Sequence, residues 1–132
     1  MAKTFEPIPA DVEQTAKTIV DAAMAVHMAL GPGLLESVYE VSLCHELAER
    51  AIPFESQVPL PVVYKGVKLD AGLRLDLVVA SKVIVELKAV ENTQPVHEAQ
   101  LLTYLKLTRL RLGLLINFNT ALLRDGIKRM VL

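Results

Sequence analysis

Residues 73–90 decide the fold, and they read Leu73-Arg-Leu-Asp76-Leu-Val-Val-Ala80-Ser-Lys-Val-Ile-Val-Glu86-Leu-Lys88-Ala-Val90. Two runs rich in leucine, valine and isoleucine flank Ala80, Ser81 and Lys82, and charged side chains interrupt each run. Apolar runs on either side of a short turn are typical of a β-hairpin. The segment therefore predicts two antiparallel strands that carry charge where a buried sheet usually carries none.

The register of this hairpin brings two carboxylates together. Side chains alternate between the two faces of a strand, so the first run should have one apolar face made by Leu73, Leu75, Leu77 and Val79, with Arg74 and Asp76 opposite. If the chain turns at residues 80–82, Val79 faces Val83 and Asp76 falls opposite Glu86. The two carboxylates are then expected about 5 Å apart.

Two carboxylates at this spacing need a positive partner, because half-buried like charges repel each other and raise one pKa. Lys88 lies two residues beyond Glu86 on the same face and supplies one positive charge. Two carboxylates with a backbone carbonyl also suit a hard divalent cation. The alternative is a solvent-exposed face of ion pairs. The apolar run 83–90 argues against that alternative, because a strand covered on both faces rarely keeps charge without a reason.

Helical and extended patterns alternate along the rest of the chain. Apolar residues recur at helical spacing from Val12, and their stripe contains Ala16, Ile19, Ala23, Val26 and Leu30. Glycine and proline at 31–33 end this helix, and a second helix is expected at about 34–50. Strands are predicted at 58–64, 67–79, 82–90 and 112–118, a helix at 95–108, and a final edge strand at 127–132. The prolines at 59 and 61 place the first strand at a sheet edge. This order predicts the α/β class, an α+β sandwich around a mixed sheet of about four to six strands flanked by helices.

Length and composition fit one domain. The chain has 132 residues, of which 52% are apolar and 22% charged, and one core of this size needs no disulfide or structural metal. We expect a single domain over residues 1–132, with residues 1–10 as a loosely ordered N-terminus. Cys44 is the single cysteine and cannot pair within the chain, which favours a cytoplasmic location. No segment is typical of a membrane span or a signal peptide.

The charge balance excludes a global positive field that would hold nucleic acid. Fourteen lysines and arginines stand against fifteen acidic residues, with a net charge of -1, so any phosphate contact must be local. The candidates for such contacts are Lys65, Lys68, Arg74, Lys106, Arg109 and Arg111. The mean hydropathy of +0.39 is high for a small domain and predicts that a second copy covers part of the surface in a homodimer.

Four ordered motifs resemble those of a known family. Gly33-Leu-Leu-Glu36-Ser-Val-Tyr39 matches the signature of the GxxExxY proteins, a group of small prokaryotic proteins within the PD-(D/E)XK nuclease superfamily. The later motifs resemble the superfamily's acid, its acid-x-lysine pair and the helical Gln-xxx-Tyr of this group, and they are Asp76, Glu86-Leu87-Lys88, and Gln100 with Tyr104. Leu75 replaces the nominal proline before the acid, at a place where the superfamily varies. The resemblance covers about residues 16–118.

The resemblance implies a restriction-endonuclease-like core of order ααβββαβ and a metal-dependent nuclease. Such a protein would hydrolyse phosphodiester bonds of nucleic acid, with DNA favoured over RNA as the partner and Mg²⁺ or Mn²⁺ as cofactor. The implied metal ligands are Asp76, Glu86, the carbonyl of Leu87, and Glu36. The implied catalytic residues are Glu36, Asp76, Glu86, Lys88 and Gln100, and accessory roles are expected for Tyr39, Tyr104, Arg74 and His97.

Other function classes are either disfavoured or stay open. The sequence has no glycine-rich phosphate loop, no Gly-x-Ser-x-Gly elbow and no zinc-ligand spacing around His27 or His45, which disfavours P-loop, serine-esterase and zinc chemistry. Without the resemblance, Glu36 would be interpreted as compensating a helix dipole, and residues 97, 100 and 104 as a solvated helix face. Two alternatives stay open, a non-catalytic nucleic-acid-binding or regulatory module on the same fold and a protein-interaction subunit.

Overall fold

The computed structural model describes residues 6–132. Within them lie three α-helices, α1 (Ala10–Leu30), α2 (Glu36–Glu49) and α3 (Pro95–Thr108). The strands are β1 (Phe54–Pro59), β2 (Val62–Tyr64), β3 (Val67–Leu69), β4 (Arg74–Val79), β5 (Val83–Lys88), β6 (Leu112–Asn117) and β7 (Ile127–Val131). A short 3-10 helix, Leu123–Gly126, precedes β7. In this part of the chain, none of the helices is both long and apolar enough to cross a membrane.

Five strands form the main sheet in the order β1-β4-β5-β6-β7. The β5–β6 pair is parallel and the other three pairs are antiparallel. Helix α3 connects the parallel pair, because a parallel connection must cross over a face of the sheet. The predicted mixed sheet of four to six strands is confirmed, and so is the edge position of the first strand, which ends at Pro59.

Helices cover both faces of the sheet. Helices α1 and α2 bury Ile19, Ala23 and Leu43 against strand residues such as Leu77 and Val85. On the other face, α3 buries Leu101, Tyr104 and Leu105 against Ile84 and Leu115. A Cβ at Gly113 would lie 2.8 Å from a methyl carbon of Leu101, so glycine lets α3 approach β6 closely. The α+β sandwich predicted from the sequence is confirmed.

The strand boundaries differ from the prediction at the proline-rich segment. The run expected at 58–64 is divided between β1, which begins earlier at Phe54, and β2. The run expected at 67–79 is divided between β3 and β4, and β2 pairs only with β3 in a separate two-stranded sheet. Pro61 lies between β1 and β2 and cannot donate a ladder hydrogen bond, which explains the division.

The predicted single apolar face of β4 is wrong in part. Leu77 and Val79 pack on the α1–α2 side, whereas Leu75 and Leu73 pack with the α3-side residues. The alternation breaks at Asp76, where β4 leaves the ladder with β5 and where its neighbour Gln57 on β1 has a φ of +52°. A left-handed residue changes the direction of the strand, which the sequence pattern does not reveal.

The ends of the predicted elements also differ in detail. Four residues of the α1 stripe are buried, but Leu30 is 39% exposed because the helix ends there. Part of the segment predicted to be a loosely ordered N-terminus, residues 1–5, lies outside the described residues. In the following residues, the carbonyls of Glu6 and Pro7 accept hydrogen bonds from the guanidinium of Arg111.

Candidate active site

Asp76 and Glu86 lie side by side where β4 and β5 separate. Backbone pairing between these strands runs from Val79 and Val83 to Leu77 and Val85, and then ends. Beyond that point, the N–H of Asp76 donates to Oε1 of Glu86 at 3.1 Å. The N–H of Leu87 donates to Oδ2 of Asp76 at 2.8 Å. Side-chain carboxylates thus take the place of backbone carbonyls, and the two acids expected from the hairpin register are adjacent.

The environment of Glu86 opposes its negative charge. Glu86 is only 7% exposed to solvent. Burial first, and then the neighbouring Asp76 carboxylate, raise the pKa of Glu86 to about 8, although the Asp76 N–H and the Lys88 ammonium act in the opposite direction. At neutral pH the pair therefore favours a shared proton, or a cation in its place.

Lys88 ends β5 and is held in place by the end of β6. Its carbonyl accepts the N–H of Phe118 at 2.9 Å. The side chain of Asn117, which is buried, accepts the N–H of Val90 at 3.1 Å and donates to the Val90 carbonyl at 2.8 Å. These bonds fix the chain at Lys88 and two residues beyond it. Asn117 is not among the residues predicted from the sequence, where its signal is an amide at the end of an otherwise apolar buried strand.

The ammonium of Lys88 acts on the site by charge rather than by a direct ion pair. Lys88 takes part in none of the ion pairs formed within residues 6–132. Its positive charge lowers the pKa of both Glu36 and Glu86. The side chain is half-buried. Solvent would therefore only weakly screen the interaction between its ammonium and a negative charge that develops near the carboxylates.

Leu87 is positioned between the two charged residues of β5. Its side chain is fully buried on the α1–α2 side, and its N–H points to Asp76. In an extended strand the N–H and C=O of one residue point to the same side. The carbonyl of Leu87 therefore faces β4, the side on which the carboxylates meet.

Glu36 reaches the site from the first residue of α2. Partial desolvation and then the Asp76 carboxylate raise the pKa of Glu36, and Lys88 lowers it. Glu36 is therefore close enough to sense both residues, although its side chain is exposed to solvent. The turn before α2 contains Gly31 and Gly33, whose φ angles of +69° and +96° favour glycine.

Tyr39 stabilises the turn that presents Glu36. Its hydroxyl donates to the carbonyl of Gly31 at 2.6 Å and accepts the N–H of Leu34 at 3.1 Å. Its ring is fully buried and stacks on Phe118 at 4.5 Å between centroids. These contacts give Tyr39 a structural role, so the spacing of Gly33, Glu36 and Tyr39 combines a turn, a candidate site residue and the anchor of that turn.

Helix α3 presents Tyr104 to the carboxylates. Burial, followed by the charges of Glu86 and Asp76, raises the pKa of Tyr104, and the neighbouring Gln100 amide acts in the opposite direction. Gln100 is exposed and lies one turn before Tyr104. His97 has a different contact, because its Nδ1 accepts the N–H of Gln94 at 3.0 Å and so caps α3.

The basic candidates are spread over several surfaces. Arg74 is exposed and its guanidinium donates to the carbonyl of Gln57 at 3.5 Å. Arg111 is engaged by backbone carbonyls, including that of Leu132 at 2.8 Å. Arg109 forms the left-handed C-cap of α3, and Lys106 is exposed on that helix. Lys65 follows β2 at the turn to β3, and Lys68 lies on β3.

The oxygen atoms of Asp76, Glu86 and the Leu87 carbonyl fit a hard divalent cation. Such ions prefer carboxylate and carbonyl oxygens and keep several water molecules. Burial first, and then the Asp76 carboxylate, raise the pKa of Glu86, so the surrounding protein groups do not fully compensate a charged Glu86. Within residues 6–132 no three side chains of His, Cys, Asp or Glu are close enough to hold a metal together. Direct coordination by Glu36 would therefore require its side chain to move, and water would complete the shell.

A comparison with family models agrees with this arrangement. The family described as the PD-(D/E)XK nuclease superfamily matches residues 13–130, which is nearly the whole chain. No curated protein and no solved structure matches the chain.

Proposed function

The chain belongs to the PD-(D/E)XK nuclease superfamily, and we propose that it is an active, divalent-metal-dependent nuclease. In this proposal Asp76 and Glu86 hold Mg²⁺ or Mn²⁺ together with the Leu87 carbonyl. Lys88 and the residues that surround it take part in cleavage of the phosphodiester bond. We also propose that the chain is one of the GxxExxY proteins, because the Tyr39 hydroxyl binds the turn that contains Gly33 and precedes Glu36.

One observation carries the proposal. The β4–β5 ladder stops at Leu77 and Val85, and two carboxylates occupy the opening with a pKa raised to about 8 at Glu86. A sheet loses backbone hydrogen bonds and gains like-charge repulsion in this way, at a cost to stability. A cation that binds the opening would recover that cost, since it replaces the proton that Glu86 otherwise favours.

The chain's own residues have distinct roles in the proposed reaction. When bound, a divalent cation would lower the pKa of a water molecule and neutralise charge on the phosphoryl oxygens. Lys88 would orient the attacking water and stabilise negative charge that develops on the phosphate. Glu36 would accept a hydrogen bond from water at the outer side of the site. Tyr104 and Gln100 would position the phosphate from α3.

The non-catalytic alternative accounts for fewer of these features. A module that only binds nucleic acid gains nothing from a buried Glu86 or from two adjacent carboxylates, which repel a phosphate. The limited direct ligand set, two side chains and one carbonyl, is the feature that this alternative explains more simply. Cleavage activity is what separates the two proposals.

The test is incubation of the full chain with labelled DNA and RNA, each in single-stranded and double-stranded form. Reactions contain Mn²⁺, Mg²⁺ or EDTA. We expect cleavage with either metal and none with EDTA, with DNA cleaved faster than RNA. An Asp76→Asn variant should lose the activity, whereas Glu91→Gln, an exposed change beyond the motif, should keep it. Absence of cleavage across the panel would favour the binding module.

A further inference from the structure

The β2–β3 hairpin, residues 62–69, extends beyond the main sheet. Its two strands pair only with each other, and a hydrogen bond of 2.9 Å from the N–H of Leu60 to the carbonyl of Leu73 links the hairpin to β1 and β4. Its large side chains are exposed, including Val63 at 61% and Tyr64 at 60%. An exposed hairpin with an apolar and aromatic surface is typical of a contact element.

The charge of the hairpin differs from that of the chain as a whole. Lys65 and Lys68 are both exposed, and no acidic residue occurs between Glu55 and Asp70. Neither lysine forms an ion pair within the described part of the chain. The ammonium of Lys65 lies 5.5 Å from the centroid of the Tyr64 ring. Lys68 pairs with Val63, so its side chain leaves the hairpin on the face opposite to Tyr64. An unpaired positive charge beside an exposed aromatic ring, with a second one on the same narrow hairpin, is complementary to a nucleic-acid strand.

The hairpin lies at the same end of the sheet as the paired carboxylates. It joins the end of β1 to the start of β4, and Asp76 is the third residue of β4. Lys68 precedes Asp76 by eight residues, which is at most about 26 Å of extended chain. At the base of the hairpin, Leu60 and Leu73 pack on the α3 side, the side from which Tyr104 senses the carboxylates. A nucleic-acid strand bound at the paired carboxylates can therefore reach the hairpin.

We propose that the β2–β3 hairpin binds a single-stranded segment of the substrate. Tyr64 stacks on an unpaired base, since neighbouring bases cover the faces of a paired one, and Lys65 contacts the phosphate beside that base. Lys68 contacts the sugar-phosphate backbone from the other face of the hairpin. This inference rests on the proposed function, because it places the hairpin beside the nuclease site. It assigns nucleic acid with an unpaired segment as the substrate class. A protein partner or a second copy of the chain on the hairpin is the competing outcome.

The test measures binding of a labelled oligonucleotide, as a single strand and as a duplex, to the full chain in EDTA, where cleavage does not interfere, and light scattering measures self-association of each variant. The double variant Lys65→Ala/Lys68→Ala should weaken binding and reduce the slope of log affinity against log salt by about 1.4. Tyr64→Ala should weaken binding about tenfold without changing the slope, and Tyr64→Phe should restore it. The control is Lys17→Ala/Lys128→Ala, which removes two charges from exposed ion pairs elsewhere. Thermal melting establishes that each variant is folded.

The outcomes separate this inference from the proposed function. Metal-dependent cleavage with hairpin variants that bind like the control would overturn the hairpin proposal alone. Hairpin-dependent binding without cleavage under any metal would support the hairpin and reject the nuclease. If wild type binds duplex and single strand equally, the substrate class is wrong. If the hairpin changes alter only self-association, a second copy is the partner, and absence of oligonucleotide binding by wild type also rejects the proposal.

Discussion

The backbone N–H of Asp76 donates a hydrogen bond to Oε1 of Glu86 at 3.1 Å, at the point where the strands that carry these residues cease to pair. The side chain of one acid thus satisfies the backbone of the other. This bond keeps the carboxylates together even though they repel each other. In the metal-free protein a proton on Glu86 relieves this repulsion near neutral pH, and a cation would take the place of that proton.

A divalent cation should stabilise the fold. An ion that binds only the folded chain contributes about 1.4 kcal/mol at ten times its Kd, and this raises the Tm by roughly 3 to 6 °C for a domain of this size. Asp76→Asn should raise the metal-free Tm slightly and lose most of the metal response. Glu91→Gln should respond like wild type. Thermal melting with millimolar Mn²⁺ and then EDTA measures the effect, and an Asp76→Asn response equal to wild type would exclude this metal site.

The metal-free protein should lose stability as the pH rises. Burial and Asp76 raise the pKa of Glu86 from 4.5 to about 8, so the folded chain binds this proton more tightly than the unfolded chain. The contribution of this proton to the free energy of unfolding is fully present below about pH 4.5 and is lost as the pH rises to about 8. In EDTA, the Tm of wild type should fall more between pH 5 and 8 than that of Glu86→Gln. Parallel pH profiles for the two proteins would show that Glu86 does not titrate in this range.

Removal of the Tyr39 hydroxyl should destabilise the fold. The change Tyr39→Phe leaves the Gly31 carbonyl and the Leu34 N–H without their partner, at a cost of about 1 kcal/mol or more. We expect the Tm to fall by roughly 3 to 6 °C per kcal/mol. Tyr64→Phe is the matched control, because that side chain is mostly exposed. If the two variants have the same Tm, the Tyr39 hydroxyl does not stabilise the fold.

The chain should form a homodimer through α1 and α2. Three large apolar residues near the junction of these helices are highly exposed, namely Met28, Leu35 and Val41, and a two-fold contact is the commonest way to cover such a face. Light scattering at micromolar concentration should give the mass of a dimer, and Val41→Glu should give a folded monomer. The change Val96→Glu, at an exposed site on α3, should leave the dimer intact. A wild-type monomer contradicts this prediction.

The sequence predicts the paired acids better than their surroundings. The register of the β4–β5 hairpin follows from its short turn and alternating pattern, so the adjacency of Asp76 and Glu86 is predictable. The packing of Leu75 is not, because it depends on the left-handed conformation of Gln57 in a different strand. Similarly, Tyr39 shares a helix with Glu36, and only the three-dimensional fold reveals that its hydroxyl binds the preceding turn. Local patterns specify registers, whereas contacts between distant segments require the packed structure.

The most direct test of the central claim compares wild type with Lys88→Met, because this change removes the proposed chemical group and keeps both carboxylates. Single-turnover cleavage of the labelled substrate in Mn²⁺ is measured beside Mn²⁺ affinity, with Glu91→Gln as the control. We predict that Lys88→Met cleaves at least about 100-fold more slowly while its Mn²⁺ affinity changes by less than about threefold. Cleavage by Lys88→Met at the wild-type rate, or equal wild-type cleavage in EDTA, would contradict the account.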